Sequence, residues 1–373
     1  MENFPLPTAS PAELGFAPEP LARLDALITR HIAEGRYPGA QIALARNGRL
    51  ALFKTFGDAR LAPTREAATS DTLWLLFSNT KVLTMAAIWS LIEEGTLSVN
   101  DPVADYLPEF AANGKAAITI FQVATHQAGF PSANVSRAAW EDHQKMRAEV
   151  CNFSLEWTPG TRVHYHGRSA HFTLAMVIEA VTGRDYRREI HDRVIAPLGL
   201  GRELYVGVPD AMQSRCADIH GPEGSEVPGE NTAAFRAAGL PGSGGYGTAR
   251  AMAALYQMML GGGRLGDARL FSRRLIEFAT RDFTGERGDD GMNGIMMHRG
   301  LGPHSRGLHP LIRGLGSLAH PTTFGHGGIG SSYAWGDPAS GVSFAYVTNF
   351  VAPDPWHSSR LDRISNLVHA AID

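Results

Sequence analysis

Both ends of the chain carry strand-like sequence and the middle does not, and this pattern narrows the fold more than any other feature. Near the start, GAQIALARNGRLALFKTFG holds two short apolar runs joined at Asn47-Gly48, a dipeptide suited to a tight hairpin. Near the end, GIGSSYAWGD and GVSFAYVTNF form a second pair, with a turn from Asp337 to Gly341. Between residues 78 and 240 no clear strand is expected, and segments 80–94, 171–182 and 186–196 read as helices. Further helices are expected at 18–34, with Leu21, Leu24, Leu27 and Ile28 on one face, at 248–260 and at 360–372. The simplest arrangement is an α+β fold with one antiparallel sheet built from both ends of the chain. The terminal helices cover that sheet, and an all-helical domain is inserted into it. The expected boundaries are 1–77 together with 241–373 for the sheet domain, and 78–240 for the helical one.

The chain is 373 residues long and 44% hydrophobic, enough for a sizeable core. A net charge of −3 without a basic patch argues against a nucleic-acid partner. No apolar run approaches the length of a membrane span. The N-terminal MENFPLPTASPAELGF lacks the basic-then-apolar order of a secretory signal, so a cytoplasmic protein is expected. Cys151 and Cys216 sit in no redox or metal spacing and are expected to be inert thiols. Gly-rich stretches at 239–247, 261–263 and 325–330 read as turns.

The first chemical signal is in LLFSNTKVLTMAAIWSLIEEG, where Lys81 follows Ser78 by three positions. On a helix that spacing puts hydroxyl and amine on one face. The helix that follows is apolar nearly all round, hence buried. Burial penalises an ammonium, and the positive helix N-terminus favours an alkoxide, as a Ser–Lys dyad needs. Only four of the 34 basic residues are lysines, and a desolvated lysine can act as a base where an arginine cannot. Taken alone, S-x-x-K arises easily by chance.

Two weaker signals accompany it. In WTPGTRVHYHGRSAHFTLAMVIEAVTG, Tyr165 lies on a loop before a helix, where a tyrosine often only anchors the loop. His164, His166 and His171 are close in sequence but lack Asp, Glu or Cys at ligand spacing, so no metal is expected. His326-Gly327-Gly328 opens a strand, where glycines let a ligand approach the backbone. No serine has glycine at both −2 and +2, so the nucleophile elbow of α/β-hydrolases is missing.

Together these segments resemble the class C β-lactamase superfamily, which includes class C β-lactamases, D-alanyl-D-alanine peptidases and family VIII carboxylesterases. The likeness runs from PGAQIALARNGRL through S-N-T-K, ATHQAGF, WTPGTRVHYH, APLGL and PGSGGYGTARAMA to GHGGIGSSYAWGDPASG. It implies a β-lactamase/transpeptidase-like fold with the active site in the cleft between the domains, and no cofactor. It also implies Ser78 as nucleophile, Lys81 as its partner, Tyr165 as proton shuttle, and the N–H groups of Ser78 and Ile329 as oxyanion hole. His326, Gly327, Gly328 and Gly167 would line the substrate site. Ser132-Ala133-Asn134 resembles the S-x-N motif of other penicillin-binding enzymes and leaves Ser132 open as an alternative relay. There are two departures from the family pattern. Gly167 stands where the Y-x-N asparagine is expected, and His326 replaces the lysine of K-T-G. With an ordinary histidine pKa near 6.5, His326 would carry a partial charge that grows as pH falls from 8 to 6. Both departures look like the esterase branch. The resemblance therefore implies a carboxylesterase acting on small esters through an acyl-enzyme. The rival readings are a β-lactamase or D-amino-acid peptidase or amidase, and a penicillin-binding-like protein without turnover.

Overall fold

The computed structural model describes residues 4–222, 229–309 and 314–372; Met1–Asn3 of the N-terminal stretch lie outside them. In chain order the strands are β1 (Gly39–Arg46), β2 (Arg49–Arg60), β3 (Glu66–Ala67), β4 (Trp74–Leu75), β5 (Leu204–Val206), β6 (Gly245–Gly247), β7 (Arg264–Leu265), β8 (Ala268–Arg269), β9 (His304–Ser305), β10 (Phe324–Gly327), β11 (Tyr333–Asp337) and β12 (Val342–Thr348). The helices are α1 (Pro18–Ala33), α2 (Thr80–Glu93), α3 (Ile120–Ala124), α4 (His143–Cys151), α5 (Ser169–Thr182), α6 (Tyr186–Ile190), α7 (Ala233–Ala238), α8 (Ala249–Leu260), α9 (Arg273–Ala279) and α10 (Trp356–His369).

Seven strands form one antiparallel sheet in the order β3-β2-β1-β12-β11-β10-β9. Its centre is the pairing of β1 with β12, from Ala40 opposite Thr348 to Arg46 opposite Val342, which joins the two ends of the chain. The β1–β2 hairpin turns at Asn47 and Gly48, both at positive φ (51° and 76°), as a right-twisted two-residue turn requires. Alternation then sorts the two faces. Ala40, Ile42 and Leu44 pack with Leu24, Leu27 and Ile28 of α1 and with Leu361, Ile364 and Val368 of α10. Ala43, Ala45, Ala345 and Val347 face the other way, into a core shared with α2, α5 and α8.

The middle of the chain holds one strand that the sequence did not signal. β5 pairs with β6, and β6 with β4, in a three-stranded sheet. Three residues are too few to show a period, and their partner strand, Gly245-Tyr246-Gly247, carries two glycines. A Cβ at Gly247 would meet Leu204 Cδ1 at 2.8 Å. The helix expected from 360 begins earlier, at Trp356. Among the described residues, no helix is long and apolar enough to cross a membrane. Cys151 and Cys216 are buried and free.

Candidate active site

β4 carries the chain into a single helical turn, Phe77–Asn79, which runs straight into α2. Phe77 has φ +45°, a left-handed conformation that a bulky side chain adopts only when its surroundings force it. The restraints come from both sides. Thr80 Oγ1 donates to Phe77 O at 2.6 Å and accepts from Gly245 N at 2.8 Å. Asn79 Nδ2 donates to Ser332 Oγ at 3.0 Å, and Ser332 Oγ donates to Leu76 O at 3.1 Å. Ser78 alone in this turn remains half-buried, between buried Phe77 and Asn79.

Lys81 is fully buried. Its Nζ lies 3.1 Å from Ser78 Oγ, 2.8 Å from Gly167 O and 2.7 Å from Gly242 O. Desolvation, with repulsion from Arg299 and Arg168 added, brings its pKa down to about 7. A free amine has two N–H groups for the two carbonyls and one lone pair for the third direction, toward Ser78. Gly242 was read in the sequence only as part of a turn. A Cβ there would stand 3.2 Å from Lys81 Nζ and 3.2 Å from His171 Cβ. The glycine run before α8 was the available signal, since such runs mark close backbone approach.

Tyr165 lies near enough to the Ser78 side chain to interact with it, and Lys81, 3.1 Å from Ser78 Oγ, sits over the Tyr165 ring, so the structure brings Ser78, Lys81 and Tyr165 together. Burial raises the phenol to about 12, against the pull of Ser78 and Arg299. The ring is held on several sides. Lys81 Nζ lies 5.2 Å from its centroid, Arg299 Cζ 4.7 Å and the His126 ring 4.8 Å. The Tyr165 backbone N–H donates to Asp289 Oδ1 at 2.8 Å. Asp289 and Arg299 were not singled out from the sequence, where nothing beyond the Asp-Gly and Asn-Gly turns of DDGMNG marks their neighbourhood.

β10 brings His326-Gly327-Gly328 alongside the Ser78 turn. A Cβ at Gly328 would meet Leu76 O at 2.5 Å and Phe77 Cβ at 3.0 Å, so only glycine lets the strand end this close. Ile329 follows with its side chain exposed, and among the described residues no hydrogen bond uses its N–H. The expectation for His326 is corrected in one respect. Its imidazole is buried, with Nδ1 2.8 Å from Gly327 O. Burial, reinforced by Lys81 and Arg299, pushes its pKa down to about 3 instead of leaving it near 6.5. His326 is therefore neutral between pH 6 and 8.

Ser132 is exposed and bound to Glu156, through N at 2.8 Å and Oγ at 3.1 Å, which turns it to a partner other than Ser78 or Lys81. A Cβ at Gly167 would enter open space, so the room an asparagine would occupy stays empty. The three sequence-adjacent histidines part company. His166 accepts from Phe130 N at 3.1 Å and bonds His164 O at 2.6 Å, while His171 lies on α5 beside Gly242. Among the described residues the cluster with metal-like spacing is His143, Glu179 and Asp185. Glu179 already accepts from Tyr186 N and bonds His143, and Asp185 pairs with Arg187, so these groups are spoken for as a helix-end network.

The sequence profile of the Beta-lactamase family matches residues 24–368. The chain belongs to the Beta-lactamase family. Among curated relatives, it is 28% identical to a Salmonella typhi protein named "Putative D-alanyl-D-alanine carboxypeptidase", over 92% of this chain and 86% of that one. Among solved structures, a penicillin-binding protein homologue from Caulobacter crescentus superposes with a TM-score of 0.83 at 28% identity, covering 96% of this chain and 99% of its own. A family VIII carboxylesterase superposes with a TM-score of 0.81 at 27% identity, with the same coverage. The fold is β-lactamase/transpeptidase-like, and the chain is a serine hydrolase of the β-lactamase and penicillin-binding-protein superfamily.

Proposed function

We propose that this hydrolase is a carboxylesterase acting on small esters through an acyl-enzyme on Ser78. The observation that carries the chemistry is the buried Lys81 amine, 3.1 Å from Ser78 Oγ, with two carbonyls taking its N–H groups. Its free-amine lone pair removes the Ser78 proton as Oγ attacks the ester carbonyl. The N–H groups of Ser78 and Ile329 hold the oxyanion. Tyr165, neutral with a pKa near 12, is a poor resting base but a competent acid toward a leaving alkoxide, which is about as basic as hydroxide. It gives its proton to that alkoxide and is reprotonated from the Lys81 ammonium. Water then attacks the acyl-enzyme by the reverse relay and releases the acid.

Ester rather than β-lactam turnover is supported by position 326. A buried neutral imidazole offers no fixed charge to a substrate carboxylate, whose burial unpaired is costly. The similarity to the Salmonella protein keeps peptidase chemistry as the second reading. One experiment tests all readings. Fluorophosphonate should label wild-type protein but not Ser78→Ala, and short p-nitrophenyl esters should be hydrolysed faster than a chromogenic cephalosporin or a D-alanyl-D-alanine peptide. Absence of label and turnover would leave a binding protein; faster cephalosporin or peptide cleavage would overturn the esterase reading.

A further inference from the structure

Behind Tyr165 sits a buried ion pair that the acyl-transfer steps do not use. Arg299 is 3% exposed and Asp289 fully buried. Asp289 Oδ2 accepts from Arg299 Nη2 at 2.7 Å and Nε at 3.1 Å, while Oδ1 accepts from Tyr165 N at 2.8 Å and Gly291 N at 3.0 Å. One carboxylate thus grips both the backbone of Tyr165 and the guanidinium lying on its ring. Gly291 belongs to the same clamp, since a Cβ there would stand 2.9 Å from Tyr165 N. Stability is a weak reason for such a pair, because apolar side chains of similar volume often replace a buried ion pair without loss.

We propose that Arg299, clamped by Asp289, is a positioning residue that holds the Tyr165 ring against Ser78 and keeps Lys81 a free amine. This rests on the acyl-enzyme reading above. The pair is polarised. Arg299 acts on Lys81, His126, His304 and His326, where Asp289 is not felt, and both charges act on Tyr165, while Asp289 alone acts on His166. Arg299 Cζ and Lys81 Nζ are 4.7 Å and 5.2 Å from the same ring centroid, hence within about 10 Å of each other. At that separation, and an effective dielectric near 20, the repulsion is worth about one pKa unit. The other groups facing Lys81 are Ser78, Tyr165, Arg168, His126, His171 and His326. The three histidines are held neutral by burial and Tyr165 is raised, so between pH 6 and 9 the amine is the group that titrates.

The test is the pH dependence of the fluorophosphonate labelling rate at Ser78, which needs no natural substrate. Arg299→Gln should move the acid limb up by about one pH unit, slowing labelling about tenfold at pH 6 and far less at pH 9. Arg299→Lys keeps the charge and should keep the limb, with a lower plateau from the lost ring contact. Asp289→Asn unmasks the guanidinium and should move the limb down. Folding of each variant is checked by circular dichroism. Should Arg299→Gln unfold the chain, the neutral pair Asp289→Asn/Arg299→Gln replaces it, with an upward shift of the limb expected that is smaller than one pH unit, because the opposing charge of Asp289 is lost as well. A uniform slowing at every pH, with the limb unmoved in Arg299→Gln or its replacement, would show packing only and overturn the proposal. Failure of wild-type Ser78 to label at all would overturn the acyl-enzyme reading itself, a result distinct from an unmoved limb.

Discussion

Lowering the pH from 8 to 6 should switch this enzyme off along the titration of one amine. Lys81 must be neutral to take the Ser78 proton, and its pKa is brought down to about 7 by desolvation and by Arg299 and Arg168. With one proton involved, about nine-tenths of the enzyme is competent at pH 8, about half at pH 7 and about one-tenth at pH 6. The neighbours leave this window clear. His166 is down to about 4 and His326 to about 3, and His126 and His171 lie well below their ordinary value, all chiefly through desolvation. Tyr165 at about 12 puts no alkaline limb below pH 9. The assay is kcat/KM for a simple alkyl ester by pH-stat between pH 6 and 9, in wild type and in His326→Gln, with the fold monitored at each pH. Both should show one acid limb near pH 7. A profile flat down to pH 6 would exclude Lys81 as the base, and a limb that disappears in His326→Gln would hand that role to the histidine.

Tyr165→Phe should lower kcat by about 10²-fold or more while the acid limb stays in place, since a shuttle and not the titrating base is lost; steady-state kinetics with rising leaving-group pKa would show the defect worsening. Gly242→Ala would press a methyl onto Lys81 Nζ at 3.2 Å and should cut ester kcat about tenfold or more in a protein that still folds, checked by turnover alongside melting temperature. The β-lactam to ester ratio of kcat/KM should stay constant from pH 8 to 6, because His326 does not titrate there; a ratio rising severalfold toward pH 6 would refute its buried neutrality. Acid should also unfold the protein early. His126, His166, His171 and His326 have folded pKa values depressed below the unfolded one, so the unfolded chain binds more protons as pH falls below about 6.5 and stability falls with it. At pH 5.5 His166 and His326 each remove about 1.4 kcal/mol, and His126 and His171 act in the same direction, which thermal melts between pH 7.5 and 5 would register as a steep drop in Tm.

What the sequence determined by itself was short-range. The Asn47-Gly48 hairpin follows from two residues that tolerate positive φ, the face of α1 from a period of 3.6, and the Ser78–Lys81 contact from a three-residue spacing on one helix. Each is set by backbone geometry within a few residues, so each can be read along the chain. The all-apolar flanks of α2 likewise announced that Lys81 would be dry. Tyr165 was placed by resemblance, not by its spacing. The rest waited for tertiary structure. Ser132 and Tyr165 are rival relays in the sequence; the fold binds Ser132 to Glu156 and sets Tyr165 beside Ser78. Gly167 and Gly242 supply Lys81 with carbonyls from 86 and 161 residues away, and Asp289 reaches Tyr165 from 124 away. His326 carries an ordinary imidazole in the sequence and becomes a group that stays uncharged at neutral pH only because the assembled core strips its water and sets Lys81 and Arg299 near it. Desolvation and Coulomb repulsion depend on distance through space, and that distance does not exist until the chain has folded.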